Sequence, residues 1–508
     1  MNADLNTSRR AFVGNVGAAL SLATLPFSAP AGMRSNGEMS FAEYSKHDGI
    51  GLAQLVRRKE ISAAALLEIA IARAEAVNSR INALAQKLYE RARAQVNSGM
   101  PNGAFAGVPF LLKDLGIDLE GTPTTNASRF FEDNIVQRNS AVVDLYKKAG
   151  LVIFGKTNAP EFGMSGFAES ALYGMTRNPW NLEFGPGGSS GGAAAVVAAG
   201  IVPFANATDF GGSIRVPASC CGLFGLKPTY GRTPLSPEFS STNTIHAITR
   251  SVRDSAALLD ISCVSAANTF HCAPPSPQAS YLENMRQPPG KLRIALLHRP
   301  YFYDVKVHSE CLKAVDNAAG LCESLGHHVE EASPPIPYDQ LSEIGSVFMA
   351  EFFAPIGERE KKLGRLVRLD EVNSGNYRRI RESRKISADD YLKGQQEIRL
   401  LRQAMADFYK KYDVILSPTQ ATLPPPVSGE ERMADGRTKT EINTALAAFT
   451  GIYNFTGQPA MSVPLFWASD GLPIGVMFAG RFGDEATLFR LASQLEESRP
   501  WFGKRAPL

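Results

Sequence analysis

Two glycine-serine tracts and one lysine are the residues of this chain whose types and spacing could do chemistry. The first tract is Gly185-Pro186-Gly187-Gly188-Ser189-Ser190-Gly191-Gly192; the second is Asp209-Phe210-Gly211-Gly212-Ser213-Ile214-Arg215. Glycines this dense let backbone approach another group closely or take conformations that a Cβ forbids. Successive main-chain N–H groups around a Gly-Gly-Ser turn could converge on one oxygen, as an oxyanion hole requires. Taken singly, each tract also fits a tight turn or a phosphate-binding loop. A P-loop fails, because no Gly-Lys-Ser/Thr follows the glycines. Gly187-x-Ser189-x-Gly191 fits the nucleophile elbow of α/β-hydrolases, which would make Ser189 the nucleophile, but that motif needs an apolar strand directly before it. Here Asn178-Pro179-Trp180-Asn181 and Phe184-Gly185-Pro186 precede it, and they read as loop.

The lysine lies upstream, in Gly107-Val108-Pro109-Phe110-Leu111-Leu112-Lys113-Asp114. A lysine acts as a base only when neutral, against a free pKa of about 10.4, so Lys113 must be desolvated or held by donors. The apolar run before it is compatible with burial.

These three stretches, together with Cys221-Gly222-Leu223-Phe224-Gly225-Leu226-Lys227-Pro228-Thr229, resemble the amidase signature family, and the likeness runs from about residue 45 to the C-terminus. The resemblance implies a single α/β/α domain, its mixed twisted sheet covered by helices on both faces. It implies a Ser–cis-Ser–Lys triad, no cofactor and no metal. Carried over by position, Ser213 attacks the carbonyl and is acylated. Ser189, after a cis bond from Gly188, bridges Ser213 to Lys113, the base. Main-chain N–H groups of Phe210, Gly211, Gly212 and Ser213 form the oxyanion hole, and the Gly163 carbonyl lies near the reacting serines. Ser190, Asp209 and Arg215 become supports. Two residues depart from the family pattern: Phe210 stands where a smaller residue is usual, and Ala193 replaces a common serine.

Within the family, Arg177-Asn178-Pro179-Trp180-Asn181-Leu182, Tyr453-Asn454-Phe455-Thr456-Gly457-Gln458-Pro459-Ala460 and Asp470-Gly471-Leu472-Pro473-Ile474-Gly475-Val476 are most similar to hydrolases of the 6-aminohexanoate cyclic dimer. The implied substrate is a small linear or cyclic amide. Rival readings are the amidase-fold subunit of a tRNA-linked amidotransferase and a noncatalytic binding protein. Lys113, Ser189 and Ser213 standing together argue against the second.

The elements that must position these residues alternate in type. Leu52, Leu55, Val56, Leu66, Leu67, Ile71 and Ala74 recur at helical spacing in a stretch that reads as helix from 51 to 96, with Ser62 as a cap. Residues 105–112, 151–155, 201–205, 414–416, 460–463 and 474–477 read as short buried strands, and small apolar residues over 193–199 suit a helix packed tightly on a sheet. Such alternation favours a sheet covered on both faces. Residues of about 300–412 are richer in charge and mostly helical in period, so one domain over 40–503 with a helical insertion is expected.

The N-terminal residues 1–31 do not read as fold. Ser8-Arg9-Arg10-Ala11-Phe12-Val13 puts paired arginines before an apolar stretch, and Ala29 and Ala31 follow in the pattern a signal peptidase reads. This matches a twin-arginine export signal and predicts a periplasmic protein without stable membrane insertion after cleavage. The apolar stretch falls short of the roughly 20 residues a spanning helix needs. A formal charge of +3 on 508 residues, with no basic stripe, predicts no nucleic-acid partner. None of the six cysteines forms a C-x-x-C pair, and no His/Cys cluster has zinc spacing. Cys263–Cys272 is the most plausible disulfide, but free buried cysteines are expected in a chain this long. A homo-oligomer is compatible with the sequence.

Overall fold

Strand side chains alternate between two buried faces, which is why the sheet-forming segments read as unbroken apolar runs. Ile294, Val414, Leu416 and Phe478 pack with Leu259, Val315 and Leu488 on one side. Their neighbours Ala295, Ile415, Met477 and Ala479 pack with Leu401, Met405 and Ile452 on the other. The computed structural model describes residues 39–235, 242–263, 275, 277–301, 304–427, 433 and 435–508. Residues Gly37–Leu508 form one compact unit. The architecture is the expected α/β/α domain. Helices Val252–Ser262, Ser309–Ser324 and Glu485–Ser498 cover one face, and Ala388–Phe408 with Ile452–Thr456 cover part of the other. The export signal expected over 1–31 and Cys272, the expected partner of Cys263, lie outside the described residues; Cys220, Cys221, Cys311 and Cys322 are free thiols.

The larger sheet has eight strands, in the order His328–Glu331, Arg293–Leu296, Val414–Pro418, Pro473–Gly480, Ala460–Trp467, Phe224–Lys227, Thr244–Thr249 and Phe204–Asp209. Its first three strands run parallel and the other pairings are antiparallel, so the sheet is mixed. A second sheet orders Leu84–Lys87, Val152–Thr157 and Pro109–Lys113.

The two sheets meet along one seam. The Asn206 side chain bridges it, accepting from the Lys113 N–H at 3.2 Å and donating to the His246 carbonyl at 3.2 Å. Lys113 is the last residue of its strand, so the seam delivers its side chain to the end of the sheet where the Phe204–Asp209 strand turns into the second glycine tract.

Three expectations need correction. The stretch from 51 to 96 is not helical throughout: helices Gly49–Arg57, Ala63–Ile81 and Tyr89–Asn97 are interrupted by the strand Leu84–Lys87, whose four residues are too few to show a period. The strand expected at 201–205 is Phe204–Asp209, reaching four residues further toward Ser213. The helical segment of about 300–412 also begins later. Ser309–Ser324 and His328–Glu331 belong to the main sheet layer, and only Ile344–Leu363, Ser374–Ser383 and Ala388–Phe408 form the helical layer beyond it. His328, Glu330 and Glu331 are exposed edge residues, so that strand carries no apolar signal. Ser62 does cap its helix, accepting from the Ala65 N–H at 3.1 Å.

Asn206→Ala should leave the buried Lys113 N–H without its acceptor. Stability in urea should fall by about 1–3 kcal/mol, the cost of one unsatisfied buried donor. An unchanged denaturation midpoint would show that the seam does not depend on Asn206.

Candidate active site

Lys113 is fully buried, and its amine is held by hydroxyls alone. Nζ donates to Ser189 Oγ at 2.8 Å and to Thr208 Oγ1 at 2.9 Å. Burial pushes its pKa from 10.5 down to about 7, against the opposing pull of the Asp209 carboxylate. Lys227 is equally buried and also brought to about 7, by burial first and then by the Arg215 charge, but its amine meets the Pro228 carbonyl at 2.9 Å. A lowered pKa therefore does not single out Lys113. Contact with a serine hydroxyl does.

Ser189 sits in the loop just before the helix Gly191–Ala198, after a cis Gly188–Ser189 peptide, as expected. Gly163 lies against it. The residue has φ +74°, and a Cβ there would come within 3.2 Å of Ser189 Oγ and 2.7 Å of Leu115 Cδ2. Only glycine meets both demands.

Ser213 occupies the turn between the strand Phe204–Asp209 and the helix Arg215–Cys220, so the strand–turn–helix geometry of an elbow belongs to Ser213 and not to Ser189. The two serine segments are tied together. The Ser190 N–H donates to the Ser213 carbonyl at 3.3 Å, and Ser190 Oγ donates to the Thr208 carbonyl at 3.2 Å.

Asp209 organises the turn. Its carboxylate accepts from the N–H of Gly212 at 2.8 Å and of Ile214 at 3.1 Å, and forms a fully buried ion pair with Arg215 at 2.8 Å. Burial alone would raise its pKa, but the Arg215 charge and hydrogen bonds hold it well below the usual carboxylate range. Arg215 is fixed in turn by the Thr450 carbonyl at 3.0 Å and Asn454 Oδ1 at 2.8 Å.

This alters the expected oxyanion hole. The Gly212 N–H is engaged by Asp209, whereas those of Phe210, Gly211 and Ser213 have no hydrogen-bond partner among the described residues. Gly212 shapes the turn, and the other three donors remain for a ligand. His246 stands apart: its Nε2 lies 2.9 Å from Ser255 Oγ, and burial pushes its pKa down to about 3.

Two cavities flank these serines. One of about 420 Å³ is lined by Ser213, Val216, Phe348, Asn443, Leu446 and Phe455, and is mostly apolar. Asn443 Oδ1 takes the Gly166 N–H at 2.6 Å, which fixes that lining amide against the Gly166 backbone. The other, of about 480 Å³, is lined by Ser189, Thr208, Asn243, Glu351, Arg138 and Lys362. Gly163, Phe210 and Phe352 border both.

Residues 65–489 match the family described as Amidase. The chain belongs to the amidase family. It is 35% identical over 479 residues to the 6-aminohexanoate-cyclic-dimer hydrolase of Paenarthrobacter ureafaciens, covering 91% of this amidase and 96% of that enzyme. It is 36% identical over 472 residues to the putative amidase AmiC of Mycobacterium tuberculosis, covering 91% and 96%. A solved structure of 6-aminohexanoate cyclic dimer hydrolase superposes with a TM-score of 0.85 at 34% identity, over 91% of this chain and 99% of that one. A bacterial aryl acylamidase of the amidase signature enzymes gives 0.79 at 27% identity, over 92% and 97%. The amidase is therefore a hydrolase of C–N amide bonds.

Sequence reasoning missed Thr208 and Asn454. Thr208 carries no motif signal, and only the meeting of the two sheets at the seam sets it beside Lys113. Asn454 lies in a stretch whose likeness to relatives was visible, but its grip on Arg215 and Asp209 was not.

Arg215→Met should leave the Asp209 carboxylate buried without its cation and lower stability by about 3–5 kcal/mol. The sign with pH follows from the depressed Asp209 pKa. In the wild type its contribution is present above the ordinary value of 3.8 and is lost as pH falls through the folded-state pKa. The variant's Asp209 takes up a proton more readily, so the gap between the two proteins should narrow on acidification in thermal melts. A gap that stays constant down to that pH would show that the pair is not what Arg215 supplies.

Proposed function

We propose that the amidase is an exported, periplasmic enzyme that cleaves small carboxamides through an acyl-enzyme on Ser213, with Lys113 as base and Ser189 as relay. The observation that carries this reading is the 2.8 Å contact between the buried, charge-depleted Lys113 amine and the Ser189 hydroxyl. Ser213 Oγ bonds to the carbonyl carbon while its proton passes through Ser189 to Lys113. The N–H groups of Phe210, Gly211 and Ser213 receive the developing oxyanion. As the C–N bond breaks, the proton returns by the same path to the leaving nitrogen, and water then releases the acid by repeating the relay. The substrates are small amides; 6-aminohexanoate oligomers are the first to try, because one of the relatives is named for hydrolysing the cyclic dimer.

An amine cannot leave unprotonated, whereas an activated phenolate can. Lys113→Ala should therefore lower amide turnover by about 10²–10⁴-fold and nitrophenyl-ester turnover clearly less, with partial recovery of the ester reaction at high pH. In the wild type, kcat/KM for amides should rise through about pH 7, because the protonated Lys113 ammonium cannot accept the serine proton. Ser213→Ala should abolish labelling by a fluorophosphonate. Equal losses on amide and ester in Lys113→Ala would reduce that residue to a structural role.

Export is tested separately. Arg9→Lys with Arg10→Lys should leave active, uncleaved enzyme in the cytoplasm, and the exported wild type should begin near Gly32 by mass analysis. A periplasmic form that still starts at Met1 would exclude cleavage.

A further inference from the structure

We infer that Phe210 divides the substrate cleft and makes this enzyme select linear amides over macrocyclic ones. The inference rests on the Ser213 chemistry proposed above. In that chemistry the acyl group stays on Ser213, and the leaving nitrogen must face Ser189, from which its proton comes. Ser213 lines the apolar cavity of about 420 Å³, whereas Ser189 and Thr208 line the polar one of about 480 Å³. The acyl arm therefore occupies the first and the amine arm the second. Charge agrees with this division. The described walls of the first hold no titratable side chain, whereas charged side chains, Glu351, Arg138 and Lys362 among them, line the second and give it the polar surroundings that suit an amine portion.

The boundary between the cavities is aromatic. Phe210 meets Phe348 at a ring separation of 4.6 Å and Phe352 at 4.9 Å, and those two stack at 5.5 Å. Rings at these separations are in contact, so no methylene chain threads between them. A linear amide crosses the boundary once, at the serines. A macrocyclic diamide has its two arms joined, so it must cross a second time, where the three rings meet. Its ring is excluded unless Phe210 gives way.

The test compares the cyclic dimer of 6-aminohexanoate with N-hexanoyl-6-aminohexanoate, an open amide of similar length whose acyl arm carries no charge. The wild type should favour the open amide by about tenfold or more in kcat/KM. Phe210→Ala should raise the cyclic-to-linear ratio by about tenfold, chiefly through a lower KM for the ring. Fluorophosphonate labelling of Ser213 reports independently that each protein is folded and competent. Should Phe210→Ala fail to label, Phe352→Ala opens the same wall from the helix Ile344–Leu363 and should move the ratio in the same direction. Ring opening by the wild type as fast as cleavage of the open amide would overturn the inference. So would an unchanged ratio in a variant that still labels. A wild type that does not label at Ser213 would remove the serine-hydrolase reading itself, and the division of arms with it.

Discussion

An amine kept close to neutrality in a protein interior has to be shielded from water and held away from carboxylates, and most of this molecule's architecture follows from meeting both demands at Lys113. Water is excluded because Lys113 ends a strand at the seam between two sheets, where helices and strands surround it. Its donors go to Ser189 and Thr208 hydroxyls, which solvate the amine without fixing a charge on it. The carboxylate that opposes this, Asp209, is itself committed to Arg215. The difference between the two sites is one of partners: Lys227 is as deeply buried, yet it faces a carbonyl oxygen and no hydroxyl.

The Asp209–Arg215 pair does a second job in the same place. A buried ion pair is seldom a strong source of stability, because desolvation cancels much of the attraction. Here its value is geometric. One carboxylate gathers the N–H groups of Gly212 and Ile214, which bends the chain so that the remaining donors of the turn point elsewhere. Arg215 carries that fixed point across to the Thr450 carbonyl and Asn454, linking the turn to a segment more than two hundred residues away.

The candidate reactive groups were legible because the chemistry proposed for them needs rare residue patterns: dense glycines around serines, and a lysine after an apolar strand. The strands at 414–416, 460–463 and 474–477 were legible because burial on both faces leaves continuous apolar runs. What escaped was whatever depended on pairing or on loop geometry. Thr208 is an unremarked threonine until its strand is laid beside Lys113. That the Gly212 N–H is spent on Asp209 follows from the path of the turn, which a list of residues does not contain. Phe348 and Phe352 sat in a stretch readable only as helical, so their contact with Phe210 could not be foreseen.

Among the described residues, the eight-stranded and three-stranded sheets have outer margins at His328–Glu331 and at Leu84–Lys87. An unpaired margin is a template on which another chain can add a strand. On the first, His328, Glu330 and Glu331 are exposed, with only Val329 partly covered. The second is four residues long and ends on exposed Lys87, paired to Glu75 at 2.7 Å. Each margin thus presents charge and little length to a would-be partner. The seam that shelters Lys113 disposes of what would otherwise be two further margins, along Pro109–Lys113 and Phe204–Asp209, so the step that shelters the amine also removes two sites for intermolecular β-aggregation.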